Sequence, residues 1–257
     1  MSEKITTIDI NSGLTKPKKE IVYQEVTELE LPIKIIIEKI RTRIENGEYG
    51  LIIGDDASGR IPTLILGNFI KKVSEQKGLD KPNIIFIPGA FISGSFEILE
   101  LDAYVEKWGM VDKDKRILVV TDSIRTGESL RVLVSTLKDL GYPVDVATIG
   151  IEDKDKEHVV TAREQNLSGI EVLSGDYNRY DKNKTGVFPH TPKIYGRKEL
   201  AGVEKVRGEL KSRALSRRLS EDVMSQIQPK INQAKEDAGV VTDHIVKWYE
   251  SQKQKQE

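Results

Sequence analysis

The residues best suited to chemistry lie in one stretch, Val119-Val120-Thr121-Asp122-Ser123-Ile124-Arg125-Thr126-Gly127-Glu128-Ser129. An apolar run delivers an acid, Asp122. A short turn then carries Thr126, Gly127 and Ser129 into a helix. That order suits an anion cradle. Gly127 lets the backbone turn and approach a ligand without a Cβ clash. Successive N–H groups at the helix start point at the anion, and the helix dipole favours it. The Thr126 and Ser129 hydroxyls can donate to phosphate oxygens, Glu128 can contribute its backbone, and Ser123 and Arg125 flank the cradle. Asp122 suits sugar hydroxyls or the water shell of Mg²⁺ better than it suits a phosphate. A second stretch, Leu51-Ile52-Ile53-Gly54-Asp55-Asp56-Ala57-Ser58-Gly59-Arg60-Ile61-Pro62, has the same plan. There, amides of Ala57, Ser58 and Gly59 can meet an anion, and Arg60 can offset its charge by forked hydrogen bonds. The plainer reading is an acidic turn in which Asp56 or Ser58 caps the next helix.

Both stretches follow predicted strands. Strand-like runs at 51–53, 83–87, 116–120, 144–151 and 169–173 alternate with helical patterns at about 62–77, 99–108 and 130–140. Parallel pairing with right-handed crossovers follows from helical connections of this length. The prediction is therefore an α/β fold, a doubly wound and mainly parallel sheet of about five strands, with its core at roughly 48–174. Ligands of such sheets bind beyond the carboxyl ends of the strands, where both stretches fall.

Composition narrows the field. Hydrophobic residues are 38% of 257, enough for a core. Lys+Arg number 40 against 41 Asp+Glu, which argues against a nucleic-acid coat. The absence of cysteine removes thiol nucleophiles, disulfides and thiolate metal sites. His158, His190 and His244 are far apart. No apolar run suggests a membrane span or a signal core, so the expected address is cytoplasmic.

The first stretch resembles the motif of the type I phosphoribosyltransferase family. That motif is four apolar residues, two acids, two mostly apolar residues, a small residue, Thr, Gly, any residue, and Thr or Ser. Asp122 matches the second acid, and Thr126, Gly127 and Ser129 match the loop that grips the 5-phosphate of phosphoribosyl pyrophosphate (PRPP). Thr121 stands where the family has its first acid, one of two carboxylates that hold the ribose hydroxyls. Arg125 replaces an acid that handles a base proton in the purine-salvage branch. It could clamp an anionic acceptor or a phosphate, or lie in solvent as a plain loop arginine. The second stretch is similar to the family's pyrophosphate loop, although Asp55 and Asp56 would repel a pyrophosphate unless Mg²⁺ lies between them.

The resemblance implies an enzyme, a phosphoribosyltransferase (pentosyltransferase) that uses PRPP, Mg²⁺ and a nitrogenous base. Asp122 and Arg125 would be its catalytic residues and Asp122 its metal contact. PRPP would be held by Asp122, Ser123, Arg125, Thr126, Gly127, Glu128 and Ser129 together with Asp56, Ala57, Ser58, Gly59 and Arg60. The alternative is a non-catalytic PRPP- or nucleotide-sensing protein of the same fold. Thr121, the 55–56 acids and a loop at 88–96 without Lys or Arg point that way.

Outside the core, residues 1–20 read as a flexible arm. Residues 21–199 form the α/β domain with its hood elements. Candidates for the hood are a partly alternating strand or hairpin at 21–31 and the 176–192 loop with Tyr177, Tyr180 and Phe188. Pro32 opens a helix bearing Ile33, Ile36, Ile37, Ile40 and Ile44. Residues 200–257 read as a helical extension interrupted by Pro229. Within it Ile231, Ala234, Ala238, Val241, Ile245 and Trp248 have coiled-coil spacing. That stripe suits a homo-oligomer, such as a dimer through the C-terminal helices, or packing on the chain's own core. The cluster Arg207, Lys211, Arg213, Arg217 and Arg218 is diluted by acids and reads as a solvated helix face.

Overall fold

The computed structural model describes residues 21–87, 98–107, 112–152, 156–176, 203–207, 214–218 and 221–254. Five parallel strands make the central sheet: β1 (Tyr49–Asp55), β2 (Asn83–Ile87), β3 (Arg116–Ile124), β4 (Val144–Ile151) and β5 (Glu171–Ser174). Their order is β2-β1-β3-β4-β5. Leu51–Ile53 in β1 and Ile117–Val120 in β3 are fully buried without alternation. Helices covering both faces of a parallel sheet produce that pattern. On one face Ile52, Leu118, Val120, Ala147 and Ile149 pack under α1 (Glu30–Lys39), α2 (Arg41–Glu45), α3 (Asp56–Gln76) and a long last helix, α7 (Glu221–Lys253). On the other, Leu51, Ile53, Ile85, Ile117 and Val119 pack under α4 (Ile98–Lys107) and α5 (Glu128–Asp139). A sixth helix, α6 (Glu157–Asn166), links β4 to β5. The expected doubly wound α/β sheet of five strands is thus the observed one.

Three local expectations give way. Residues 21–31 are not a strand: Gln24–Leu29 is a 3₁₀ helix leading into α1. Val26, Leu29 and Ile33 are buried at steps of three and four, while Leu31 is 58% exposed, so the period is helical. Buried Asp237 of α7 fixes this segment by accepting the Val22 and Tyr23 amides at 3.3 and 2.6 Å. The start of the extension is not helical. Val203–Arg207 (β6) and Ala214–Arg218 (β7) form an antiparallel hairpin in which Glu204 stands opposite Arg217. Lastly, α7 continues through Pro229. Proline in a helix interior costs about 3 kcal/mol, and the packing beyond it offsets that cost. Ala234, Ala238, Val241 and Ile245 are buried in the chain's own core, joined by Tyr249, which meets Phe69 edge-on at 5.2 Å, and Ile231 is buried as well. Of the two readings of the heptad-like stripe, packing on the chain's own core is the one observed.

Candidate functional site

The strand order places a topological switch point between β1 and β3. From β1 the chain turns toward β2, and from β3 it turns toward β4 and β5. The crevice left beyond the carboxyl ends of such neighbours is where this architecture binds ligands. Both sequence candidates sit there.

The segment at 54–60 differs from the loop expected of it. Strand β1 runs to Asp55 and α3 begins at Asp56, six residues before Pro62. Residues 56–60 are thus the first turn of a helix. Gly59 explains why: a Cβ there would lie 2.3 Å from the Val120 carbonyl oxygen and 3.3 Å from the Thr121 Cα. Only glycine lets α3 begin directly against the end of β3. That contact overrides the local preference for a helix starting at proline. Ala57, Ser58 and Gly59 therefore lie in the first turn of α3, where backbone amides have no intrahelical acceptor. Arg60, half-buried, stacks its guanidinium 4.7 Å above the Phe86 ring of β2.

The segment after β3 is also more ordered than expected. The ladder with β4 continues through Thr121↔Thr148, Ser123↔Gly150 and Ile124↔Ile151. The turn shrinks to Arg125, Thr126 and Gly127 before α5 begins at Glu128. Gly127 caps α5 in the left-handed region, φ 73°, and a Cβ there would lie 2.8 Å from Leu167. The Gly127 carbonyl accepts the Leu130 and Arg131 amides at 3.1 and 3.0 Å, which leaves the amides before them at the mouth. Ser129 and Glu128 are exposed there, and Thr126 is half-buried.

Residues that sequence reasoning missed hold this turn. Arg163 of α6 donates to the Arg125 carbonyl at 3.1 Å, and Asn166 donates to the Thr126 carbonyl at 2.9 Å. Glu152, just after β4, accepts the Ser123 hydroxyl at 3.1 Å. A crossover between β4 and β5 was implied by their parallel pairing. Nothing local tells which of its side chains reaches back 40 residues.

Among the described residues, carboxylates stand at the carboxyl ends of β1, β3 and β4. Asp122 is half-buried, and its Oδ1 accepts the Ser123 amide at 2.7 Å. Asp55, also half-buried, accepts the buried Thr121 hydroxyl at 3.3 Å. Glu152 is the third. Among the described residues no group of three or more His, Asp or Glu could by itself cage a metal ion. The side chains of Asp56, Ala57 and Ser58, the 88–97 loop and the aromatic residues Tyr177, Tyr180 and Phe188 lie outside the described residues.

The chain is similar to two phosphoribosyltransferases. An orotate phosphoribosyltransferase of Brucella canis is 25% identical over 169 residues, 63% of this chain and 76% of the relative. Adenine phosphoribosyltransferase 5 of Arabidopsis thaliana is 28% identical over 153 residues, 55% of this chain and 75% of the relative. No protein-family model matches. These distant likenesses support a phosphoribosyltransferase-like protein, on a fold consistent with the type I architecture. No helix of the described residues is long and apolar enough to cross a membrane.

Proposed function

We propose that the chain is a cytoplasmic enzyme that binds PRPP with Mg²⁺ and transfers its phosphoribosyl group to a nitrogenous base. The observation that carries this reading is the convergence of two helix N-termini, α3 and α5, on one strand edge. Gly59 of the first presses on Val120, two residues before Asp122. One molecule carrying a monophosphate at one end and a pyrophosphate at the other would engage both.

In this reading Thr126, Gly127, Glu128 and Ser129 take the 5-phosphate, chiefly through main-chain amides, and the start of α3 takes the pyrophosphate. A base nitrogen attacks the anomeric carbon. The new C–N bond forms as the C–O bond to pyrophosphate breaks, and that electron pair leaves with the pyrophosphate. The base nitrogen's proton passes to water. The protein's work is positioning and charge stabilisation, with Asp122 holding the sugar. Arg125 lies exposed beside the cradle, where it can reach an anionic acceptor or a phosphate. The donor set fits Mg²⁺, which uses one or two carboxylates plus substrate oxygens rather than an all-protein cage. Asp122 would hold it, and the ion would supply charge neutralisation for the departing pyrophosphate.

The test is pyrophosphate release from PRPP with a panel of bases that begins with orotate and adenine, beside calorimetric PRPP binding. Release with one base supports transfer. Binding with no release across the panel would select the sensing protein of the same fold. Absence of binding would refute both.

A further inference from the structure

We infer that Asp55, at the end of β1, supplies the second carboxylate for the ribose hydroxyls, the position on β3 being occupied by Thr121. This rests on the PRPP reading above.

Strands β1 and β3 are hydrogen-bonded neighbours with Gly54 opposite Val120, so the next residues along, Asp55 and Thr121, sit side by side at the carboxyl edge. The Thr121 side chain is 2% exposed and cannot itself meet a ligand. Its hydroxyl is turned instead to the Asp55 carboxylate at 3.3 Å. Asp55 is the N-cap residue of α3 yet makes no side-chain capping bond. An N-cap aspartate ordinarily spends its carboxylate on the helix amides. Here the carboxylate accepts from the Thr121 hydroxyl of β3 instead of capping α3. Asp122 has one oxygen committed to the Ser123 amide. A sugar diol between the two anion sites offers two O–H donors, and carboxylates on adjacent strands are suited to accept them. Asp55 is thus the binding residue, and Thr121 positions it.

The test measures binding of ribose 5-phosphate and of 2,3-dideoxyribose 5-phosphate to the full chain and to Asp55→Asn, with melting temperatures as a check on folding. Wild type is expected to prefer the diol sugar. Asp55→Asn is expected to weaken ribose 5-phosphate about tenfold, the scale of one charge-assisted hydrogen bond, and to leave the dideoxy sugar within about twofold. The double variant Asp55→Thr with Thr121→Asp, which moves the carboxylate to β3, is expected to recover the preference. Equal weakening of both sugars, or no change in either, in a folded Asp55→Asn would overturn the assignment. Failure of a folded double variant to recover any preference would also count against it. If wild type binds neither sugar phosphate, the PRPP reading itself falls, and the assignment with it.

Discussion

The two edges of the sheet use aspartate at strand ends in opposite ways. At the amino edge Asp145, at the start of β4, is fully buried. Arg116 grips it with two bonds of 2.9 and 2.7 Å, Arg43 adds a third at 2.9 Å, and the Tyr49 hydroxyl a fourth at 2.9 Å. Arg43 continues to Glu171 at 2.7 Å. This closed network ties α2, β1, β3, β4 and β5 together. At the carboxyl edge Asp55 and Asp122 are half-buried and meet a hydroxyl and an amide at the mouth of the switch-point crevice. The same carboxylate holds the fold when saturated by charge in the interior; set at a strand end beside helix N-termini, it keeps fewer and weaker protein partners and is the one proposed to meet a ligand.

That contrast breaks most sharply at Asp145. Asp145→Ala should cost about 3–5 kcal/mol, because it leaves Arg116 and Arg43 beside a site from which their counter-charge has gone. Denaturant unfolding reads this. Asp122→Asn should change stability by less than about 1 kcal/mol and weaken PRPP binding about tenfold to a hundredfold, as loss of a charged hydrogen-bond acceptor predicts. Comparable stability losses at both positions would dissolve the distinction between the edges.

Glycine sharpens the same contrast. Gly127→Ala should destabilise by about 1–2 kcal/mol for the left-handed conformation alone, with more from the contact with Leu167, and should abolish PRPP binding. Gly141, also at positive φ, has among the described residues only the Lys113 side chain, 3.9 Å from an added Cβ. Gly141→Ala should therefore carry the conformational cost and leave binding intact. Paired melting curves and titrations separate the two.

A smaller effect concerns pH. Burial, and next the neighbouring Asp145 charge, push the Tyr49 phenol well above its ordinary value. A raised folded value means that the group's contribution is complete below the unfolded value of about 10 and is lost as pH rises toward the folded one. Stability should fall above about pH 10, and Tyr49→Phe should flatten that fall. Smallest of all, Asn166→Ala removes one bond to the Thr126 carbonyl. It should cost about 1 kcal/mol or less and weaken phosphate binding only a few-fold.

Much of the sheet was legible because buried parallel strands are continuous β-branched runs, as in Ile117–Val120, punctuated by glycines. The turn from β3 into α5 is legible because Thr126, Gly127 and Ser129 lie within four residues of one another. What could not be read was set by contacts distant in sequence. The start of α3 at Asp56 depends on Gly59 meeting β3. The grip of Arg163 and Asn166 on the turn depends on how α6 lies. The helical character of 24–29 is sealed by Asp237, more than 200 residues away. Pro229 reads as a break until the buried half of α7 is seen to outweigh it. The Asp55–Thr121 contact needs the strand order β1-β3, which no local pattern supplies.

The starts of α3 and α5 are proposed to hold the two ends of one PRPP molecule. A crystal structure with PRPP and Mg²⁺ tests this most directly. The 5-phosphate is expected on the amides of residues 127–129 and the pyrophosphate on those of 56–59, with the ribose between Asp55 and Asp122. PRPP bound with neither phosphate group at these helix starts would contradict it.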